Sequence, residues 1–155
     1  MTQSLARPYA APIPMPKPEP RVVRVAIAVI ERRGRVLICR RHADKTFGGH
    51  WEFPGGKREA GESWQGCLRR ELREELGISV RRIRPIGRLY HRLGRREAYF
   101  RVFGCAISAG HPQPLAAQEV RWVLRSRISR YRFPPANAPL IAKLSADCPP
   151  GRLVL

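Results

Sequence analysis

Apolar residues cluster along the chain at the spacing of short β-strands, before and after one long helical stretch. Residues 21–30 form a run rich in valine and isoleucine, which is typical of a buried strand. Residues 31–34 end in glycine and predict a hairpin turn, after which residues 35–40 return as the partner strand. Further strands are predicted at 51–53, 79–91, 97–107 and 119–123, with a turn at 93–95.

Two helices are predicted where apolar positions recur every three to four residues. Ser63 suits the N-cap of a helix over residues 64–76, and Gly77 suits the position that ends it. A proline pair at 134–135 opens a second helix over about 136–146, whose apolar side chains share one face. The resulting order β-β-β-α-β-β-β-α predicts an α+β domain in which helices flank a mixed sheet.

The start of the chain differs from the rest in composition. Residues 1–20 contain six prolines, five of them at alternate positions from Pro12 to Pro20, and such a segment cannot join a sheet ladder. We therefore expect residues 1–20 to be a disordered extension, with a short docking peptide as the alternative. Residues 21–155 have the length of a single domain.

Charge and cysteine usage narrow the class of protein. The 155 residues carry a net charge of +18 with only 12 acids, which suits a polyanionic partner, although a merely solvated arginine-rich surface is the alternative. No apolar run approaches the roughly 20 residues that span a bilayer, and the N-terminus lacks the apolar core of a secretory signal. Four single cysteines, Cys39, Cys67, Cys105 and Cys148, argue against a zinc site and favour reduced thiols in a cytoplasmic protein.

Five of the 12 acids fall within residues 56–78, in and just before the first predicted helix. Glu71, Glu74 and Glu75 would stack on one helical face, where like charges cost about 0.2–0.5 kcal/mol per pair. A glycine pair at 55–56 is expected to form a tight turn beside them. Because Mg²⁺ prefers oxygen ligands and is often shared with substrate phosphates, the stretch predicts a metal site that receives a phosphate chain. A solvated acidic helix face is the alternative.

The same stretch resembles the signature of the Nudix hydrolases, which cleave nucleoside diphosphates linked to another moiety. Every specified position matches, from Gly56 and Glu62 through the run Arg-Glu-Leu-x-Glu-Glu-x-Gly-Ile at residues 70–78. The resemblance implies an α/β/α sandwich with a mixed sheet and a divalent cofactor, Mg²⁺, which Mn²⁺ could replace. It implies that the metal ligands are Glu71, Glu74, Glu75 and the Gly55 carbonyl, that Arg70 orients the glutamates and that Glu62 assists by binding the metal or its waters.

Two segments outside the acidic stretch resemble the MutT-type members of this family, which hydrolyse 8-oxo-dGTP. They are Trp-Glu-Phe-Pro-Gly-Gly-Lys at 51–57 and Phe-Pro-Pro-Ala-Asn at 133–137. An asparagine amide offers a donor and an acceptor together, which can pair with the edge of a purine. The resemblance spans about residues 22–146 and implies that Asn137 reads the oxidised guanine. It also implies that the further substrate-binding residues are Arg41, Phe53 and Lys57.

One departure from the MutT pattern concerns the group that takes the proton from the attacking water. MutT-like proteins often carry an additional glutamate where this chain has Ala116, six residues before Trp122, and the nearest acid here is Glu119. The general base is therefore open, with Glu71 and Glu62 as the candidates.

The resemblance implies a Mg²⁺-dependent enzyme that converts 8-oxo-dGTP and water to 8-oxo-dGMP and pyrophosphate, by attack at the β-phosphorus, and so sanitises the nucleotide pool. The same chemistry on another oxidised or pyrimidine nucleoside triphosphate is one alternative. A module that binds oxidised guanine in DNA without hydrolysis is another, which the intact signature disfavours. We expect a cytoplasmic monomer that binds a small nucleotide and no membrane. Nucleic acid is not expected to be its main partner, because its basic segments lack interleaved aromatic residues.

Overall fold

The computed structural model of the protein describes residues 22–146. The extension predicted for residues 1–20, the end of the predicted domain after residue 146 and the thiol of Cys148 lie outside the described residues.

Residues 22–146 contain seven strands, two α-helices and two short 3₁₀ helices. The strands are β1 (Val22–Arg32), β2 (Arg35–Arg40), β3 (Trp51–Glu52), β4 (Gly55–Lys57), β5 (Ser79–Leu93), β6 (Arg96–Ala109) and β7 (Glu119–Leu124). The α-helices are α1 (Trp64–Leu76) and α2 (Ala138–Ser145), and the 3₁₀ helices are Arg125–Arg130 and Pro135–Asn137.

Strand β1 joins the two parts of the mixed sheet. Its residues 22–30 pair in parallel with β6, which pairs antiparallel with β5, while residues 25–27 pair antiparallel with β4. The last two residues of β1 pair with β2, which in turn pairs with β3 and β7. The short strand β4 therefore pairs with the middle of the β1 segment that is parallel to β6, and it lies directly before the loop that leads into α1.

Side chains alternate across β1 and divide the core into two layers. Ala26, Ala28 and Ile30 belong to the cluster that packs against α1, whereas Ile27 and Val29 belong to the cluster that contains Leu140 and Leu144 of α2. The alternation arises because successive strand residues point to opposite faces of a sheet. The predicted α/β/α sandwich with a mixed sheet is confirmed.

Helix α1 has the predicted bounds and the predicted caps. The Ser63 hydroxyl accepts a hydrogen bond from the Gly66 amide at 3.0 Å, which satisfies one free N–H of the first turn. Gly77 adopts a φ of 67°, and its amide donates to the Arg73 carbonyl. The local cap signals were therefore sufficient to place this helix.

The prediction of a tight turn at Gly55–Gly56 was wrong, because these residues form strand β4. A Cβ atom at Gly55 would stand 2.1 Å from the Ala26 carbonyl oxygen, and the residue has a φ of 142°. Gly55 therefore permits a close pairing of β4 with β1 that a residue with a Cβ atom would not allow. The hairpin turn after β1 is also shorter than predicted, since Arg33 and Gly34 alone form it, with φ values of 49° and 69°.

The C-terminal part of the domain differs from the prediction in two details. The 3₁₀ helix Arg125–Arg130 was not predicted, and its buried Ile128 packs with the α2 layer. The second helix begins later than predicted, since Pro135–Asn137 is a 3₁₀ turn and α2 starts at Ala138. Within residues 22–146, no helix is long and apolar enough to cross a membrane, and Cys39, Cys67 and Cys105 are free thiols.

Replacement of Gly55 by alanine tests whether the close contact between β4 and β1 stabilises the fold. We expect Gly55→Ala to lower the free energy of unfolding by about 3–5 kcal/mol, because the new methyl group overlaps the β1 backbone and the φ is strained. Gly61→Ala is the matched control, since Gly61 also has a positive φ, 76°, but has no atom within 4 Å of the added Cβ. The control should cost only about 1–2 kcal/mol. If urea unfolding showed the same loss of unfolding free energy in Gly55→Ala and Gly61→Ala, this prediction would be contradicted.

Candidate active site

Arg70 is the centre of a network of carboxylates on α1 and the loop before it. Its guanidinium donates to both carboxylate oxygens of Glu62, at 2.9 and 3.0 Å, and to Glu71 at 2.8 Å. It also donates to Glu74 at 3.3 Å and to the Lys57 carbonyl at 3.1 Å. These contacts join the helix to the end of β4, and the orienting role of Arg70 stays a prediction.

Glu62 is held as a carboxylate by this network. Hydrogen bonds from Arg70 are the main cause that lowers the pKa of Glu62 to about 2, and the Glu59 amide, which donates to Glu62 at 3.1 Å, contributes to the same decrease. A carboxylate with so low a pKa is a weak base. The geometry therefore favours an orienting role for Glu62 over the acceptance of a proton from water.

Glu75 has the opposite environment. Burial raises the pKa of Glu75 to about 7, and the charges of Glu52 and Glu71 act in the same direction. The Gly55 amide partly offsets this effect, since it donates a hydrogen bond to the Glu75 carboxylate at 3.0 Å. A half-buried carboxylate between two other acids is stabilised in its ionised form by a nearby cation.

Glycine is also required where Glu71 lies against β4. A Cβ atom at Gly56 would stand 2.2 Å from the carboxyl carbon of Glu71, so that any side chain there would displace this carboxylate. The Glu71 side chain is only 14% exposed. Gly56 thus lets Glu71 approach the backbone of β4, and Glu75 of the same helix reaches the amide of the neighbouring Gly55.

The residues present fit a hydrated divalent cation. Across residues 22–146, no three His, Cys, Asp or Glu side chains converge as a complete metal cage. Mg²⁺ does not require one, because it keeps several waters and shares substrate phosphates with one or two carboxylates. Glu71 and Glu75 supply such oxygens beside β4, while Glu74 is 59% exposed and bonds Arg70. Whether these glutamates and the Gly55 carbonyl all bind the metal stays a prediction.

Glu52 is a residue of this site that sequence reasoning missed. It forms an ion pair with Arg41, whose Nε also donates to the Thr46 carbonyl at 2.8 Å. Glu52 lies opposite Cys39 in the β2–β3 pairing, so it stands on the α1 side of the sheet, where its charge acts on Glu75. An isolated acid between the apolar Trp51 and Phe53 was the signal that could have identified it.

Position 116 brings no further acid to the site. The Ala116 amide donates to the Glu75 carbonyl at 3.3 Å, so this position does lie beside the end of α1. Its side chain is an exposed methyl group. Within the described residues, the additional carboxylate beside Glu75 is therefore Glu52, which comes from β3.

The segment that contains Phe-Pro-Pro-Ala-Asn packs directly on residues 51–53. The Trp51 amide donates to the Arg132 carbonyl at 2.8 Å, and the ring of Phe53 stacks on that of Phe133 with centroids 5.3 Å apart. These contacts bring two segments that are about eighty residues apart in sequence to the start of β4. The predicted substrate-binding residue Phe53 is buried, with 3% exposure.

Asn137 ends the 3₁₀ turn before α2. Although it occupies the N-cap position of α2, its side chain makes no capping hydrogen bond. The amide is thus not needed to satisfy the helix, in contrast to the usual role of asparagine at this position.

Lys57 is exposed at the end of β4, and its carbonyl accepts a hydrogen bond from Arg70. Substrate binding by Asn137, Lys57, Phe53 and Arg41 stays a prediction.

The raised pKa of Glu75 predicts a pH dependence that Glu75→Gln should remove. Between the ordinary glutamate pKa and about 7, the folded state binds more protons than the unfolded state, so stability falls as pH rises. In EDTA, we expect the variant to gain stability relative to the wild type from pH 5 to pH 8, by up to about 3 kcal/mol. Mg²⁺ at pH 8 should raise the Tm of the wild type more than that of the variant. If the free energies of unfolding of Glu75→Gln and the wild type in EDTA differed by the same amount at pH 5 and pH 8, this prediction would be contradicted.

Comparison with known proteins agrees with this geometry. The NUDIX domain family matches residues 20–144. The chain is 32% identical to the CTP pyrophosphohydrolase of Escherichia coli, over 81% of this chain and 93% of that protein. It is also 32% identical to the 8-oxo-dGTP diphosphatase of Haemophilus influenzae, with the same two coverages. A structure from a study of MutT from Aliivibrio salmonicida and Vibrio cholerae superposes with a TM-score of 0.66 at 30% identity, covering 83% of this chain and all of that one.

These findings agree with the sandwich architecture and with the resemblance of residues 56–78 to the Nudix signature. Nudix hydrolases generally use divalent metal ions, typically Mg²⁺, which is the kind of ion that the oxygen-rich site fits. The chain belongs to the Nudix family and is a nucleoside triphosphate pyrophosphohydrolase that acts on phosphoric anhydrides.

Proposed function

We propose that this protein is a Mg²⁺-dependent 8-oxo-dGTP diphosphatase that releases 8-oxo-dGMP and pyrophosphate. The observation that carries the proposal is the position of Asn137, which follows the segment stacked on Phe53 and whose amide is not used as a helix cap. A free amide can pair with both the acceptor and donor groups of a purine edge. Similarity to the 8-oxo-dGTP diphosphatase of Haemophilus influenzae supports the same substrate.

The side chains around the acidic helix have different roles in the proposed hydrolysis. A bound divalent ion supplies charge for the phosphates and acidifies a water molecule. Arg70 orients Glu62, Glu71 and Glu74 through the hydrogen bonds described above. Glu71 is the better candidate for the general base, because Glu62 is held by two of these bonds and has a depressed pKa.

Arg41 completes the substrate site in this proposal. Its guanidinium is fixed by Glu52 and by the Thr46 carbonyl, and its side chain is 28% exposed. A partly exposed, preordered guanidinium can bind a phosphate or a base without losing much conformational freedom. The enzyme would act on small nucleotides as a cytoplasmic monomer and would remove oxidised guanine before its incorporation into DNA.

A second substrate class has equal support from the relatives. The CTP pyrophosphohydrolase of Escherichia coli is as similar to this chain as the Haemophilus influenzae enzyme. An amide can also pair with the edge of a cytosine. A panel of 8-oxo-dGTP, dGTP, CTP and dCTP, with separate detection of pyrophosphate and orthophosphate, decides between the two classes. The highest kcat/KM for a cytosine nucleotide would overturn the 8-oxo-dGTP proposal, and release of orthophosphate alone would overturn the reaction.

Replacement of Asn137 tests base recognition directly. We expect Asn137→Ala to reduce the ratio of kcat/KM for 8-oxo-dGTP to that for dGTP by about tenfold or more, because a paired amide is lost from the base site. Asn137→Asp keeps the size but loses the donor and should also reduce the ratio. The Tm of both variants should stay near that of the wild type, since the side chain caps no helix. An unchanged ratio would remove Asn137 from base recognition.

Glu71→Gln tests the catalytic role of the acidic helix. We expect kcat to fall by about a thousandfold or more, because the amide neither binds a divalent ion well nor accepts a proton from water. Glu59→Gln is the matched control, as Glu59 is an exposed acid in the same stretch whose hydrogen bonds with Glu62 involve its backbone amide and carbonyl, which the substitution keeps. Circular dichroism should show both variants folded. Turnover of Glu71→Gln at the rate of the control would exclude the assigned role.

A further inference from the structure

One end of the sheet is left partly uncovered beyond the N-terminus of α1, and arginine and aromatic side chains meet there. Strands β5 and β6 pair so that Arg88 lies opposite Arg101 and Tyr90 opposite Tyr99. Paired residues share a face of the sheet. Arg101 also lies over the ring of Phe103, which belongs to the core layer beneath α1, so all four side chains stand on that side.

The aromatic residues of this face form a row. The rings of Tyr99 and Trp64 meet edge to face with centroids 5.8 Å apart, and Tyr90 is the cross-strand neighbour of Tyr99. Tyr90 is 59% exposed, so its ring is open to solvent. The guanidinium of Arg101 lies 5.7 Å from the centre of the Trp64 ring. Aromatic rings and guanidinium groups therefore alternate across neighbouring strands.

The charge of this face is largely uncompensated. Arg24 lies beside Tyr99 in the β1–β6 pairing. Among the described residues, no ion pair joins a carboxylate to Arg24, Arg88 or Arg101. The acid on this face, Glu97, pairs with Arg92 at 3.5 Å and accepts a hydrogen bond from the Tyr90 hydroxyl. The surface thus presents net positive charge around an aromatic row.

We propose that this arginine–tyrosine surface binds a single-stranded polynucleotide; it consists of Arg24, Trp64, Arg88, Tyr90, Tyr99 and Arg101. The guanidinium groups can bind the phosphates of a polynucleotide backbone. The exposed ring of Tyr90 and the partly exposed rings of Tyr99 and Trp64 provide stacking faces for unpaired bases. A duplex hides its base faces and would use only the charges. The surface is separate from the predicted base site, since Phe53 and Phe133 belong to the core layer on the opposite side of the sheet.

This inference does not depend on which nucleotide the enzyme hydrolyses. Along the sequence, the arginines of β5 and β6 lack regularly interleaved aromatic residues. The antiparallel register supplies the interleaving, because it places the Arg88–Arg101 pair next to the Tyr90–Tyr99 pair on the same face. The polynucleotide would be a partner additional to the nucleotide substrate.

Fluorescence anisotropy with a labelled oligothymidylate of about 12 nucleotides at low salt tests the proposal. We expect binding that weakens steeply with salt, a loss of about tenfold or more in Arg88→Glu, and a loss of about fivefold or more in Tyr90→Ala. Tyr90→Phe should bind like the wild type, because it retains the ring and loses only the bond to Glu97. Arg127→Glu is the matched control, since Arg127 is exposed on the 3₁₀ helix that packs in the opposite layer.

The alternatives give different results in the same assay. Oligouridylate that binds with the same pattern of variants would support the proposal, because RNA offers the same phosphates and base faces. Equal affinity for a duplex of the same composition, for heparin or for anionic phospholipid vesicles would overturn it, as would a Tyr90→Ala variant that binds like the wild type. Equal losses in Arg127→Glu and Arg88→Glu would show a response to net charge alone and would likewise overturn it. Thermal unfolding at unchanged Tm establishes that each variant is folded.

Discussion

The active site depends on the contact between the acidic face of α1 and the backbone of β4. Carboxylates are costly to bring together, and they are more costly to bury. Gly55 lets β4 lie against the backbone of β1, where a Cβ atom would stand 2.1 Å from the Ala26 carbonyl oxygen. Gly56 leaves room for the Glu71 carboxylate of α1. As a result, the Gly55 amide reaches Glu75 and the Glu71 carboxylate rests against Gly56. The strand pairing therefore requires Gly55, and the position of the Glu71 carboxylate requires Gly56.

Electrostatics then distinguish the acids from one another. Arg70 compensates Glu62 and Glu71 directly, and the pKa of Glu62 falls to about 2. Among the described residues no ion pair is formed by Glu75, and its pKa rises to about 7, chiefly through burial. A chain of net charge +18 could have surrounded every acid with arginine. Within residues 22–146 the Glu75 carboxylate instead accepts a hydrogen bond from the Gly55 amide, and its raised pKa fits a position where a divalent cation would stabilise the ionised form.

Local signals were sufficient for some elements and insufficient for others. Helix α1 was predicted correctly because Ser63, Gly77 and the apolar spacing between them all act within a few residues. Strand β4 was missed because a glycine pair resembles a turn when its partner strand, almost thirty residues earlier, is unknown. The role of Glu52 was missed for the same reason, since both Arg41 and Glu75 meet it only through strand pairing and helix packing.

The sequence by itself determined the family and the acids of the helix, because the spacing of a helical motif is a local property of the chain. It also indicated the asparagine segment, through resemblance over a short stretch. Only the tertiary structure decided that Asn137 does not cap its helix, that Glu52 joins the site and that Ala116 lies beside the end of α1. The same holds for the row of rings and guanidinium groups on β5 and β6. These features depend on contacts between residues that are distant in sequence, and such contacts leave no periodic signal in a single chain.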